Sequence, residues 1–170
     1  MNQRYIISVL VNNQPGVLTR ISGMFSRRGF NIESVTVCET EDESFSRMTI
    51  VMCGDEFILE QILKQLAKTH DVKKVTHLRE SESVFRELIM VKIAVKPAKR
   101  RELIEIANIY DASIIDLSPN SLILELTGIP SKIDGFLLVL RSYSIIELAR
   151  SGVSALMRGE RTIKEVNDIG

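Results

Sequence analysis

Apolar and polar positions along the chain fall into two rounds of one order. A mostly apolar run from Arg4 to Asn12 predicts a strand, and Val17, Leu18, Ile21, Met24 and Phe25 follow the helical spacing of a helix from Val17 to Arg28. Strands follow over Ile32 to Glu39 and Ser46 to Cys53, where Met48, Ile50 and Met52 alternate with Arg47, Thr49 and Val51. Ile58, Leu59, Ile62, Leu63 and Leu66 mark a helix from Asp55 to Thr69, with Asp55 as its cap, and Val72 to Leu78 is a further strand. The charged stretch Arg79 to Ser83 reads as a linker. The order then repeats: a strand from Arg86 to Val95, a helix from Arg100 to Tyr110, a hairpin of Ser113 to Leu117 and Ser121 to Thr127, a helix from Ser131 to Arg141, and a strand from Ile145 to Ala149. All four prolines fall at boundaries of this scheme, as their missing N–H requires.

The fold class is therefore α+β, with two ferredoxin-like βαββαβ modules in tandem. We divide the chain into residues 1–79, residues 84–159 and a tail of 160–170, expected to be a frayed helix or disordered. In each module the first and third strands should be central in an antiparallel sheet, with both helices on one face. The first strand is apolar on both sides, with Ile7, Val9 and Val11 on one and Ile6 and Leu10 on the other. Helices cover only one face, so a second copy or another subunit is the expected cover for the other.

One stretch in the first module has the makings of a ligand site. Asn12-Asn13 ends the first strand, Pro15-Gly16 turns the chain, and a helix begins at Val17. The first backbone N–H groups of a helix lack intrahelical acceptors, and the helix dipole favours an anion beside them. Gly16 would let a small carboxylate approach, and the helix is expected to bring Asn31 back towards the loop. The equivalent turn of the second module, Lys96-Pro97-Ala98-Lys99, lacks both the glycine and the asparagines.

Lys and Arg total 22, as do Asp and Glu, and this balance argues against a chain built mainly to hold nucleic acid or an anionic membrane. The central strands lack the aromatic platform of an RNA-binding βαββαβ domain. No apolar run is long enough to span a bilayer and the N-terminus lacks a signal-peptide pattern, so a cytoplasmic protein is expected. Cys38 is expected to face Arg47 rather than Cys53, which leaves two plain buried thiols with no metal-binding spacing. His70 and His77 have no acidic or nucleophilic neighbour at a telling spacing, and the acidic run around Glu41 to Glu43 reads as a solvated hairpin tip. No catalytic motif is present.

The stretches Val11-Asn-Asn-Gln-Pro-Gly-Val-Leu18, Arg27-Arg-Gly-Phe-Asn-Ile-Glu-Ser-Val-Thr-Val37 and Ser46-Arg-Met-Thr-Ile50 resemble the ACT domain of the small, regulatory subunit of acetolactate (acetohydroxyacid) synthase. Ile114-Ile-Asp-Leu117, Leu124-Glu-Leu-Thr-Gly128, Ala149-Arg-Ser-Gly-Val153 and Arg158-Gly159 extend the resemblance over the second half. The resemblance implies a non-catalytic subunit that activates a thiamine-diphosphate-dependent catalytic subunit and confers feedback inhibition by valine, in the route to valine, leucine and isoleucine. It also implies a homodimer through the N-terminal ACT domain, with valine bound between two copies. By motif the effector-binding residues are Asn13, Gly16, Val17, Leu18, Asn31 and Ile32. Pro15 stands where some members carry a small polar residue, so loop stiffness is expected to differ. Thiamine diphosphate, magnesium and any flavin would belong to the catalytic subunit, with no cofactor or metal in this chain. The alternative is a free-standing amino-acid-sensing ACT protein that regulates another enzyme or transcription; the sequence shows no DNA-binding helix pair.

Overall fold

The structure, a computed structural model, describes residues 3–166. The elements run β1 (Gln3–Asn12), α1 (Val17–Arg27), β2 (Ile32–Glu39), β3 (Phe45–Gly54), α2 (Glu56–Ala67), β4 (Val72–His77), β5 (Ser83–Ala94), α3 (Arg100–Tyr110), β6 (Ser113–Ser118), β7 (Ser121–Gly128), α4 (Pro130–Leu140), β8 (Ser144–Arg150) and β9 (Ser154–Met157). Every strand and helix expected from the pattern forms, and β9 is an addition. The antiparallel sheets have the orders β2-β3-β1-β4 and β6-β7-β5-β8, so each module is a ferredoxin-like βαββαβ unit with its first and third strands central. Asp55 caps α2 as expected, its Oδ1 accepting the Ile58 N–H at 2.8 Å.

In the first unit Tyr5, Ile7, Val9 and Val11 alternate onto one face with Met48, Ile50 and Met52. They pack against Val17, Ile21, Met24 and Phe25 of α1 and Leu59, Ile62 and Leu66 of α2. The second unit has its own core, in which Ile89, Val91, Ile93, Leu122, Leu124 and Leu126 meet Leu103 and Ala107 of α3 and Ile133, Phe136 and Leu140 of α4. There Arg150 forks onto the buried Glu87, with Nε–Oε1 at 2.7 Å and Nη2–Oε2 at 2.8 Å, and Nη2 also reaches Asp134 Oδ1 at 3.2 Å. Ser151 then closes the strand: its N–H donates to the Leu88 carbonyl and its hydroxyl accepts the Leu88 N–H, both at 3.0 Å.

The division of the chain differs from expectation. The first unit joins the residues up to Val84 with those from Val153 onward, and the second is Phe85–Gly152. The returning segment lies on the sheet face that the helices leave bare. The Thr36 hydroxyl of β2 donates to the Val153 carbonyl at 2.6 Å, and Lys74 Nζ of β4 donates to the Val166 carbonyl at 3.1 Å. Thr36 shares a row with Thr49 and Ser8, and Lys74 one with Leu10 and Arg47, so the segment spans the sheet from edge to edge. Val153, Ala155 and Ile163 are buried, as are Ser8, Leu10, Thr49 and Val51 of the face itself. The cover expected from a second copy or another subunit is thus supplied by the chain's own residues 153–166. Residues 160–166 of the expected frayed tail form the end of an ordered strap, with Ile163–Glu165 in a 3-10 turn closed by a capping box between Thr162 and Glu165. Within that expected tail, residues 167–170 lie outside the described residues, as do residues 1 and 2 of the first module.

Cys38 pairs opposite Arg47 in the β2–β3 ladder, as expected, and neither cysteine forms a disulfide. Both thiols are exposed, which corrects the expectation of burial. Cys38 lies on edge strand β2, and Cys53, near the end of β3, donates to Glu33 Oε1 at 2.7 Å. No helix among the described residues is long and apolar enough to cross a membrane.

Candidate functional site

The loop from Asn12 to Gly16 is built from both ends. The Asn12 N–H donates to the Asp71 carbonyl at 2.9 Å and the Asn13 N–H to the Ser44 carbonyl at 2.8 Å, which fixes the end of β1. Gly16 is the N-cap of α1 and sits in the left-handed region at φ 84°, where a Cβ is strained. No side chain caps the helix, so its first turn is the uncapped, positive end of a dipole.

The Asn13 side chain pins the acidic hairpin. Its Nδ2 donates to Glu39 Oε1 and to the Glu43 carbonyl, each at 2.9 Å, and its Oδ1 accepts the Ser46 hydroxyl at 3.1 Å. One lone pair of that oxygen remains for a further donor. From the other side Lys164 of the strap reaches Glu41 at 2.7 Å, and this contact holds the exposed Glu41 carboxyl below its usual range.

The remaining motif residues separate into three kinds. Val17 is buried in the core, so only its backbone faces the loop's surroundings. Leu18 is 47% exposed beside the loop, and Ile32 packs on the edge of the core. Asn31 is exposed, and in one chain it is not brought to the loop. Ile32 pairs with Met52, which pairs with Tyr5, whereas the loop begins where Asn12 pairs with Phe45. At about 3.3 Å per residue these rows are roughly 23 Å apart along the strands. Helix α1 runs back along the sheet and deposits Asn31 at its far end.

Sequence reasoning missed Arg20, four residues beyond Gly16. A Cβ built on Gly16 would lie 3.0 Å from Arg20 Nη1. Arg20 Nε donates to Asp71 Oδ2 at 2.6 Å, and that contact holds the Asp71 carboxyl below its ordinary range. The signal was present in the spacing: positions i and i+4 of a helix share a face. In the second unit the arginine that starts α3 is spent differently, since Arg100 Nη2 donates to the Ser118 carbonyl at 2.7 Å and to the Pro119 carbonyl.

No group of three or more His, Cys, Asp or Glu able to hold a metal ion occurs among the described residues.

Two family models match the chain. Residues 7–74 match the AHAS small subunit-like ACT domain, and residues 86–159 match the small subunit of acetolactate synthase. The chain is 51% identical over 160 residues to a protein of Methanothermobacter thermautotrophicus named as a probable acetolactate synthase small subunit, a match covering 94% of this chain and 95% of that one. It is 45% identical over 162 residues to the acetolactate synthase isozyme 3 small subunit of Salmonella typhimurium, covering 95% and 99% of the two chains. Among solved structures it is similar to the acetolactate synthase small subunit of Thermotoga maritima, with a TM-score of 0.85, 36% identity, and coverage of 94% and 99%.

Proposed function

Because this chain belongs to the acetolactate synthase small-subunit family, and its first module is that family's ACT domain, we propose that it activates a thiamine-diphosphate-dependent catalytic subunit and makes it sensitive to valine. The observation that carries this reading is that both modules match the same small-subunit family, one model on each. In this reading the chain works in the cytoplasm and performs no catalysis. Thiamine diphosphate, magnesium and any flavin belong to the catalytic partner.

The effector site is proposed to form between two copies. A zwitterionic amino acid needs donors for its carboxylate and acceptors for its ammonium. The uncapped start of α1 supplies donors. The amide oxygen of Asn31, with the second lone pair of Asn13 Oδ1, supplies acceptors. These groups lie at opposite ends of the sheet in one chain, and a twofold axis that sets two first sheets side by side, antiparallel, brings the loop of one to Asn31 of the other. Edge strand β2 suits that pairing because Val35 and Val37 on it are exposed. Leu18 and Ile32 would then line the pocket for a branched side chain.

The test is acetolactate formation by a catalytic subunit with and without this chain, over a valine titration, with sedimentation of the chain alone. The reading expects higher activity with the chain, inhibition by valine only in its presence, and a dimer. A monomer at micromolar concentration, with no change in activity, would remove it.

A further inference from the structure

We infer that Arg20 is the residue that selects a carboxylate in the effector site, and that Asp71 is the positioning residue that aims it. The inference rests on the effector reading above and deepens it.

The first ground is placement. Arg20 Nη1 lies 3.0 Å, and Cζ 3.8 Å, from where a side chain on Gly16 would begin. The guanidinium therefore lies across the bare face of the one residue whose missing Cβ opens the start of α1. The second ground is how the group is held. Asp71 takes Arg20 Nε at 2.6 Å, its side chain is only 7% exposed, and its backbone carbonyl accepts the Asn12 N–H. The carboxylate is thus fixed to the end of β1 and immobilises one edge of the guanidinium. The third ground is what remains. Arg20 is 51% exposed, and among the described residues its Nη groups have no hydrogen-bond partner. An arginine serving only to neutralise a buried aspartate would turn its two-donor edge inward. Here one donor meets Asp71, and the outer fork, the part whose geometry matches a carboxylate in bidentate fashion, is presented beside helix N–H groups.

The ligand class follows: an α-amino acid with a free carboxylate, in preference to its amide or the corresponding amine. Full-length chain is titrated by calorimetry with valine and with valinamide, for the wild type and for Arg20→Gln and Arg20→Lys, with a thermal melt of each. The expected result is tight valine and weak valinamide binding by the wild type. Arg20→Gln should lose at least tenfold in valine affinity while its valinamide affinity stays put, so the preference collapses, and Arg20→Lys should recover part of it. A purely structural Arg20–Asp71 pair would lower the melting temperature and affect both ligands equally, which would overturn the inference. Equal binding of valine and valinamide by the wild type would overturn it without any variant having to fold. Should the wild type bind no valine at all, the effector reading itself falls and takes the inference with it; an unchanged valine affinity in Arg20→Gln removes only the role of Arg20.

Discussion

Thr36 and Val153 are 117 positions apart and share a 2.6 Å hydrogen bond from hydroxyl to carbonyl. That bond pins the start of the strap to edge strand β2, while Ile163, 2% exposed, anchors its far part. Replacing Ile163 with Ala should cost roughly 2–5 kcal/mol, the range for a buried isoleucine. Thr36→Val should cost about 1 kcal/mol through the lost bond. Denaturant unfolding of both variants measures this, and an Ile163→Ala chain as stable as the wild type would mean that the strap does not cover the sheet in solution.

Gly16→Asp should desensitise the enzyme to valine. The left-handed backbone costs a side chain roughly 1–2 kcal/mol, and Asp is among the residues that tolerate that region. Its carboxylate would meet Arg20 and occupy the place of the effector's own anion. Charge-assisted hydrogen bonds are worth about 1.5–3 kcal/mol each, so losing one weakens binding roughly tenfold or more. The valine concentration that halves acetolactate formation should rise by at least that factor. Inhibition equal to that of the wild type would place the effector elsewhere.

The first unit should lose stability in mild acid. His77 is half-buried, edge-on to Tyr5 with ring centroids 5.3 Å apart, and burial, helped by Arg79, pushes its pKa down. The unfolded chain therefore takes up this proton at higher pH than the folded one. The contribution is complete above about pH 6.5, the ordinary histidine value, and is lost as pH falls through it towards the folded pKa. Unfolding free energies between pH 5 and 8 should show this slope, and His77→Phe, which keeps a ring against Tyr5, should flatten it. An equally steep slope in the variant would assign the effect to another group.

Arg150→Ala should destabilise the second unit by about 3 kcal/mol, since it strands the Glu87 carboxylate, which is 3% exposed. Arg150→Ala with Glu87→Leu should recover most of the loss. Chemical denaturation of the single and double variants distinguishes a stranded charge from simple loss of packing, which the second substitution would not repair.

The elements and their order were legible because both modules have clean strand and helix periods, and even the pairing of Cys38 with Arg47 followed from the hairpin's centre. Residues 153–166 were not, since a four-residue strand and a single 3-10 turn are too short to show a period. The apolar back of β1 correctly demanded a cover, but composition alone does not say which part of the chain provides it. The turn at Gly16 was readable from turn chemistry, whereas its φ of 84°, a backbone reason for glycine there, was not. The distance to Asn31 was not readable, because a helical pattern gives the length of α1 and not its direction along the sheet. The place of Arg20 beside Gly16 was readable from the i, i+4 spacing, but its partner Asp71 was not, being distant in sequence and adjacent only after β4 pairs with β1.

A unit whose last part arrives after another unit's entire sequence has a fixed order of assembly. Phe85–Gly152 is contiguous and can complete its core as soon as it has left the ribosome. The earlier sheet must wait with Leu10 and Val51 uncovered until Val153 and Ile163 have been synthesised. The module made first is therefore the one completed last.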